Sequence, residues 1–84
     1  MVNVLLSPEA QRQVDRLPTV IRARVRQLIK RLGQWPEVSG AKPLRGTLAG
    51  RFRLRTGAYR LQFRVEGQSV IVEHIGHRAG FYED

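Results

Sequence analysis

The 84-residue sequence contains no cysteine and only two histidines. Without cysteine there is neither a disulfide framework nor a thiolate metal site, and two histidines are too few for a histidine zinc cluster. No stretch approaches the roughly 20 apolar residues of a membrane-spanning helix, and the short apolar run at residues 1–7 has no basic leader. We therefore expect no metal, no cofactor, no membrane association, a mature protein beginning at Met1 and a cytoplasmic location.

Acidic residues are also scarce, with seven Asp and Glu against 15 Lys and Arg, for a net charge of +8. Apart from the adjacent Glu83 and Asp84 they are scattered singly, so the sequence assembles no carboxylate cluster for magnesium and no Ser-His-Asp set, and it has no glycine-rich phosphate loop. Most of the cations are arginine, the side chain suited to bidentate phosphate contacts. The composition predicts an RNA, DNA or acidic protein partner.

The chain length predicts one domain over residues 1–84, because 84 residues provide a single modest core. The predicted class is α+β, with a small antiparallel β-sheet, two N-terminal helices packed on one face and the order β-α-α-β-β-β. A strand at residues 2–6 leads into a helix that begins at Ser7-Pro8-Glu9, since serine is a preferred N-cap and proline a preferred first residue.

A second, longer helix starts at Pro18. It is marked by an apolar stripe at helical spacing that ends before Pro36: Ile21, Val25, Leu28, Leu32 and Trp35. We interpret Trp35 as a core residue or a helix stop. Residues 36–50 contain prolines and glycines with little periodicity, which is typical of a loop that crosses from the helices to the sheet.

A β-hairpin is predicted at residues 51–64, where both segments alternate apolar with basic residues. A two-residue Gly57-Ala58 turn, with glycine supplying a positive φ, sets the register. It pairs Thr56 with Tyr59 and Leu54 with Leu61 on one face. The opposite face then carries three cross-strand pairs: Arg55 with Arg60, Arg53 with Gln62 and Arg51 with Arg64.

Like charges directly opposite each other destabilise a sheet, so this basic face is expected to hold an anion. From Lys42 to Val65 there are seven basic residues and no acid, whereas an ordinary solvated face mixes both signs. We predict a phosphate site there, flanked by RNA-binding residues: Lys42, Arg45, Arg51 and Arg64. Metal-free phosphate chemistry would use attack by an RNA 2′-hydroxyl on its neighbouring phosphate, with arginines stabilising the charge that develops.

A final strand is predicted from about Ser69 to His77, followed by a tail with Arg78 and Tyr82. If this strand lies antiparallel beside residues 59–64, we expect its C-terminal end to return towards Arg51 and Arg64, or towards the middle of the basic face. His77, like His74, would add a group that exchanges protons near neutral pH. Without that placement, a surface histidine and a fraying terminus are the simpler interpretation.

In four segments, taken in order, the sequence resembles the RelE/ParE toxin superfamily of toxin-antitoxin systems, and more closely its RelE-like mRNA interferase branch. The segments are Leu17-Pro18, Pro43-Leu44-Arg45-Gly46, the hairpin from Phe52 to Phe63, and the run from Ile75 to Arg78 with Tyr82. The resemblance spans nearly the whole chain. It implies a RelE-like, microbial-ribonuclease-like fold and ribosome-dependent cleavage of mRNA in the A site through a 2′,3′-cyclic phosphate, which inhibits translation.

The resemblance also implies roles for individual residues. Arg53 and Arg55 stand where RelE-like enzymes often have phosphate-binding lysines that can serve as base. Arg60 matches the arginine that contacts the scissile phosphate, Arg78 the proposed proton donor to the leaving 5′-oxygen, and Tyr82 the tyrosine that orients the base. Because arginine does not readily release a proton, His77 is the substitute candidate for general base.

The partners implied by the resemblance are mRNA, the ribosome and a cognate acidic antitoxin that wraps the toxin. Operator DNA would be reached indirectly, through that antitoxin. Two alternatives to the ribonuclease remain open at this point. One is a ParE-like toxin that inhibits DNA gyrase without enzymatic activity on the same fold, and the other is an inactive relative that only binds its antitoxin.

Overall fold

The computed structural model describes residues 2–77, which form two helices and a five-stranded sheet. The elements are β1 (Asn3–Leu6), α1 (Pro8–Asp15), α2 (Thr19–Arg31), β2 (Lys42–Pro43), β3 (Arg51–Thr56), β4 (Tyr59–Glu66) and β5 (Ser69–His77). Single 3₁₀ turns lie at Leu32–Gln34 and Gly46–Leu48. The strands are arranged in the order β1-β5-β4-β3-β2. The predicted α+β class is confirmed.

The helices begin where the sequence predicts. The Ser7 side chain accepts a hydrogen bond from the Ala10 backbone N–H at 3.0 Å, and Pro8 is the first residue of α1. Helix α2 follows Pro18 but ends at Arg31, earlier than the apolar stripe suggests, and continues as the 3₁₀ turn. Trp35 is extended, with φ −49° and ψ 136°, since a residue before proline disfavours the helical region.

One hydrophobic core lies between the helices and the apolar face of the sheet. Its buried members come from both helices, the connection between them, the 3₁₀ turn and three strands: Ala10, Val14, Leu17, Val25, Leu28, Leu32, Leu54, Leu61, Phe63, Val70, Val72 and Ile75. Trp35 packs edge-on against Phe52 and Phe63, with ring centroids 4.9 and 5.4 Å apart. The interpretation of Trp35 as a core residue is therefore confirmed.

The predicted hairpin register is confirmed pair by pair, from Arg51 opposite Arg64 to Thr56 opposite Tyr59. Gly57 has a φ of 58°, in the region that favours glycine, so it provides the turn. The final strand also has the predicted bounds, Ser69–His77. Because adjacent strands share their side-chain faces, this register decides which residues meet on each side of the sheet.

Three expectations about the sheet are corrected. Residues 36–50 are not only a loop, because Lys42 and Pro43 pair with β3 as the edge strand β2. The sheet is not wholly antiparallel, since β1 runs parallel to β5. The C-terminal end of β5 lies beside Tyr59, at the turn end of the hairpin, rather than near Arg51 and Arg64, because β4 and β5 form a tight antiparallel hairpin of their own.

Candidate functional site

Five arginines lie on the sheet face opposite the core: Arg51, Arg53 and Arg55 on β3, and Arg60 and Arg64 on β4. We call this surface the arginine face. The register places these residues on one side because they alternate with the core residues of the same strands. The strands therefore assemble the basic surface that the sequence predicts.

The turn end of the arginine face consists of Arg53, Arg55 and Arg60. Arg55 lies opposite Arg60, and Arg53 lies opposite Gln62 in the next row of the sheet. The other register neighbours of these arginines are Lys42 on β2 and Gly76 on β5, neither of which is acidic. Arg55 is exposed, whereas Arg60 is only 5% exposed. The turn end thus concentrates positive charge around a largely buried guanidinium group.

The carboxylate end of the arginine face consists of Arg51, Arg64 and Glu73. Glu73 Oε1 accepts from Arg51 Nε at 2.8 Å and from Gln62 Nε2 at 3.1 Å, and its Oε2 accepts from Arg64 Nη1 at 2.6 Å. Burial alone would raise the pKa of Glu73, but hydrogen bonds from Gln62, Arg51 and Arg64 together hold that pKa below its ordinary value. An acid of the chain itself therefore relieves the repulsion between the opposed Arg51 and Arg64.

A β-bulge brings Glu73 to this position. Val72 pairs with Phe63 and His74 pairs with Gln62, so Glu73 is the extra residue in β5. Strict alternation would turn His74 towards the core with Val72. The bulge instead places His74 on the arginine face, beside Gln62. Sequence periodicity does not reveal a single inserted residue, and our sequence interpretation missed the contributions of Glu73 and Gln62.

Two open cavities border the arginine face. The edge cavity, of about 550 Å³, lies beside β3 and brings four cations together: Arg31, Lys42, Arg53 and Arg55. The face cavity, of about 380 Å³, lies at the carboxylate end and is lined by Glu9, Thr47, Leu48, Arg51, Gln62, Glu73 and His74. The first is strongly basic, whereas the second combines donors and acceptors.

The two histidines occupy different environments. His77 pairs with Tyr59, and the two rings meet edge-on at 5.3 Å between centroids. Since Tyr59 alternates with Arg60 along β4, the structure places the His77 ring on the side of the sheet away from the arginine face. His74, which our sequence interpretation did not select as the base, lies on the arginine face itself. The role of His77 as general base remains an untested prediction that this placement does not favour.

Gln13 of α1 fixes the orientation of His74. Gln13 Oε1 accepts from the Ile75 backbone N–H at 2.6 Å, so its Nε2 is the donor that meets His74 Nδ1 at 3.1 Å. Nδ1 therefore accepts, and the neutral ring carries its proton on Nε2. Glu9 Oε1 lies 3.7 Å from the same Nδ1.

Three predicted site residues, Arg45, Arg78 and Tyr82, do not belong to the arginine face as the structure describes it. Arg45 is exposed and immediately precedes the 3₁₀ turn Gly46–Leu48. Arg78 and Tyr82 lie outside the described residues.

Between residues 2 and 77, no three His, Asp or Glu side chains come together in a group able to hold a metal ion. No helix in that range is long and apolar enough to span a membrane.

The fold and the arginine face define a small cationic α+β protein with one strongly basic sheet face. A model of the ParE toxin family of type II toxin-antitoxin systems matches residues 4–82. The chain belongs to the RelE/ParE toxin superfamily of type II toxin-antitoxin systems.

Relatives and solved structures agree with that assignment. The chain is 37% identical over 83 residues to toxin RelG of Mycobacterium tuberculosis, an alignment covering 95% of this chain and 94% of RelG. In the M. tuberculosis RelBE2 toxin-antitoxin complex, one chain matches with a TM-score of 0.81 and 34% identity, over 92% of this chain and 98% of that one. Isolated Escherichia coli RelE matches with a TM-score of 0.77 over 92% and 84% of the two chains; at 18% identity it supports the fold alone.

Proposed function

We propose that this chain is a ribosome-dependent endoribonuclease toxin that cleaves mRNA in the A site. The observation that carries this proposal is the convergence of Arg53, Arg55 and Arg60 at the turn end of the arginine face. The edge cavity adds Lys42 and Arg31 beside them, which provides a concave cationic surface for an RNA backbone. Arg45, Arg51 and Arg64 would extend the electrostatic attraction around the site.

In the proposed reaction, the RNA 2′-hydroxyl attacks the adjacent phosphorus, the 5′-oxygen of the next nucleotide leaves, and a 2′,3′-cyclic phosphate forms. The negative charge on the phosphate oxygens is greatest in the transition state, where fixed guanidinium groups stabilise it most. Arg60 would contact the scissile phosphate, with Arg53 and Arg55 beside it. No step requires a metal ion, and DNA is excluded as a substrate because it lacks the nucleophile.

Proton transfer is the second requirement of this mechanism. Arginine keeps its proton at physiological pH, so Arg53 and Arg55 are poor general bases. We propose that the 2′-hydroxyl proton passes to solvent water and that positioning and charge stabilisation provide most of the rate enhancement. Arg78 would protonate the leaving 5′-oxygen and Tyr82 would orient a base, as the resemblance implies.

We further propose that the chain has a cognate acidic antitoxin that wraps it and masks the arginine face. The M. tuberculosis RelBE2 structure and the Methanococcus jannaschii RelB-RelE structure are both toxin-antitoxin complexes, which supports this partner. Its contact with operator DNA would be made through the antitoxin. Because the proposed substrate is mRNA bound in the ribosome, the site of action would be the cytoplasm.

The direct test replaces Arg60 and Arg78 together by alanine. We expect loss of growth arrest and of mRNA cleavage, measured by primer extension after induction, while the folded state is retained in circular dichroism. Arg24→Ala, on the exposed side of α2, is the matched control and should remain toxic. Continued cleavage by the folded double variant would refute the proposed mechanism.

The second candidate function is that of a non-enzymatic toxin that inhibits DNA gyrase. It is favoured by one observation, the match to the ParE family. Pulse labelling of protein and DNA synthesis after induction separates the candidates. An early block in protein synthesis is expected for the ribonuclease, whereas an early block in DNA synthesis alone would favour the gyrase inhibitor instead.

A further inference from the structure

We propose that the face cavity is a nucleobase subsite, which holds the base of a nucleotide whose phosphate lies at the turn end of the arginine face. This inference rests on the proposed RNA substrate. It assigns base recognition to Gln62 and His74, with Glu9 and Thr47 at the rim and Glu73 as a positioning residue.

The first argument is the location of the cavity. Arg53, Gln62 and His74 are consecutive register partners across β3, β4 and β5, so they form one row of the sheet. Adjacent strands are about 4.8 Å apart. A nucleotide whose phosphate contacts Arg53 therefore has its base within reach of Gln62 and His74.

The second argument is electrostatic. The carboxylate of Glu73 is only 17% exposed and is paired with both Arg51 and Arg64. This pairing offsets much of the positive charge around the cavity, so it attracts a second phosphate less strongly than the turn end does. A polar, uncharged heterocycle matches the face cavity, whereas a phosphate matches the edge cavity.

The third argument concerns fixed hydrogen-bonding groups. Gln62 Nε2 donates to Glu73, which leaves Gln62 Oε1 as the acceptor end of that amide. His74 accepts at Nδ1 from Gln13, so its Nε2–H is a donor. An amide oxygen and a ring N–H thus lie in the same row of the sheet, and the Watson–Crick edge of every base presents donors and acceptors side by side.

The cavity also has the dimensions and the apolar contact that a base requires. Its volume of about 380 Å³ falls within the range of small-molecule sites. Leu48, which is half-buried, lies on its wall and provides an apolar surface for a ring face. Thr47 and Glu9 contribute a hydroxyl and a carboxylate at the rim.

The binding test titrates the full chain with the four ribonucleoside 3′-monophosphates, with ribose 5-phosphate as the base-free probe, and follows ¹H–¹⁵N NMR signals. We expect every ligand to shift the Nε–H signals of Arg53 and Arg55. Only nucleotides should also shift the Gln62 side-chain amide and the His74 ring. If the base-free probe shifts Gln62 and His74 as strongly as the nucleotides do, the cavity is not a base subsite.

Matched variants identify the recognising groups. His74→Phe keeps a planar ring but removes Nε2–H, and we expect it to weaken nucleotide binding about fivefold while changing ribose 5-phosphate binding less than twofold. If that variant does not fold, Glu9→Gln on the exposed first turn of α1 replaces it, with the same expectation. Glu37→Gln, an exposed carboxylate outside the cavity, is the control. Equal weakening for both classes of ligand would overturn the proposal.

A cleavage experiment separates this inference from the proposed function. If wild-type protein cleaves mRNA, the same variants should redistribute the cut positions among codons, and an unchanged distribution would contradict a role in base recognition. If wild-type protein cleaves no mRNA, the endoribonuclease proposal is wrong. The NMR titration then still decides, by itself, whether the cavity binds bases.

Discussion

The two ends of the arginine face differ in how their charges are balanced. At the carboxylate end, Arg51 and Arg64 share the half-buried Glu73, which the same sheet supplies. At the turn end, the register neighbours of Arg55 and Arg60 include no acid. Arginines that look equivalent in the sequence therefore have different expected roles. We expect the arginines that share Glu73 mainly to stabilise the sheet, and those at the turn end to serve the proposed phosphate site.

Among substitutions in the two ends of the arginine face, Arg60→Ala should cause the largest loss of mRNA cleavage. Removing one group that stabilises a developing negative charge lowers rates by about 10²–10³. We therefore expect mRNA cleavage to fall by about 100-fold or more, measured with ribosomes and a defined mRNA.

Arg64→Ala is the matched variant from the carboxylate end and should lower cleavage far less, by about tenfold at most. Both variants require a melting curve, because Arg60 is largely buried. Equal losses for the two variants at equal folded fractions would remove the functional distinction between the ends.

Glu73→Gln should cause the largest loss of stability. The substitution removes the negative charge between the opposed Arg51 and Arg64 and replaces one of the two accepting oxygens by an NH2 group, so at most two of the three hydrogen bonds to this side chain can persist. We expect the free energy of unfolding in urea to fall by about 1–3 kcal/mol. Glu37→Gln, exposed and remote from the face, should change it by less than about 0.5 kcal/mol. If Glu73→Gln leaves the free energy of unfolding unchanged, the carboxylate is not needed to hold the two arginines together.

These two ends also show how far the sequence determines the site. Alternation from Arg51 to Arg64 and a glycine in the turn are sufficient to predict the arginine face and its register, because period-2 patterning and turn length leave few alternatives. Alternation does not predict the bulge in β5, since one extra residue changes no pattern before it. For that reason the position of Glu73 against Arg51 and Arg64 was not predicted.

The sequence also did not predict how the two edge strands, β1 and β2, pair with the rest of the sheet. β1 has only four residues, and its apolar pattern does not distinguish parallel from antiparallel pairing with β5. Similarly, β2 consists of two exposed residues, one of them proline, which propensity assigns to a loop. Both strands are edge strands whose positions depend on tertiary contacts rather than on local pattern.

The contribution of Glu73 should depend on pH. Because its pKa is lower in the folded protein than in the unfolded chain, its stabilisation is complete above about pH 5 and is lost as the pH falls through the lowered folded value. The difference in unfolding free energy between wild type and Glu73→Gln should therefore shrink between pH 5 and pH 3, in urea titrations at matched ionic strength. A difference that stays constant over this range would show that the ionised carboxylate is not its source.

Glu66→Gln should have the smallest effect on the free energy of unfolding. It tests whether the burial of a carboxylate or its distance from Arg64 decides how much that carboxylate stabilises the protein. Arg64 donates to Glu66 at 2.9 Å as well as to Glu73 at 2.6 Å, and hydrogen bonds to Glu66 and then Glu73 raise the pKa of Arg64 above its ordinary value. However, Glu66 is 62% exposed and Glu73 is 17% exposed.

Solvent screens the exposed pair, so Glu66→Gln should cost less than about 0.5 kcal/mol, and that cost should vanish in about 1 M salt, where the Debye length is about 3 Å. The cost of Glu73→Gln should largely persist under the same conditions, because a partly buried pair is screened much less. Similar costs and similar salt dependence for both substitutions would show that contact distance, rather than burial, decides which carboxylate stabilises the face. In that case the carboxylate end would owe its stability to surface ion pairs, and the distinction between the two ends would depend on salt.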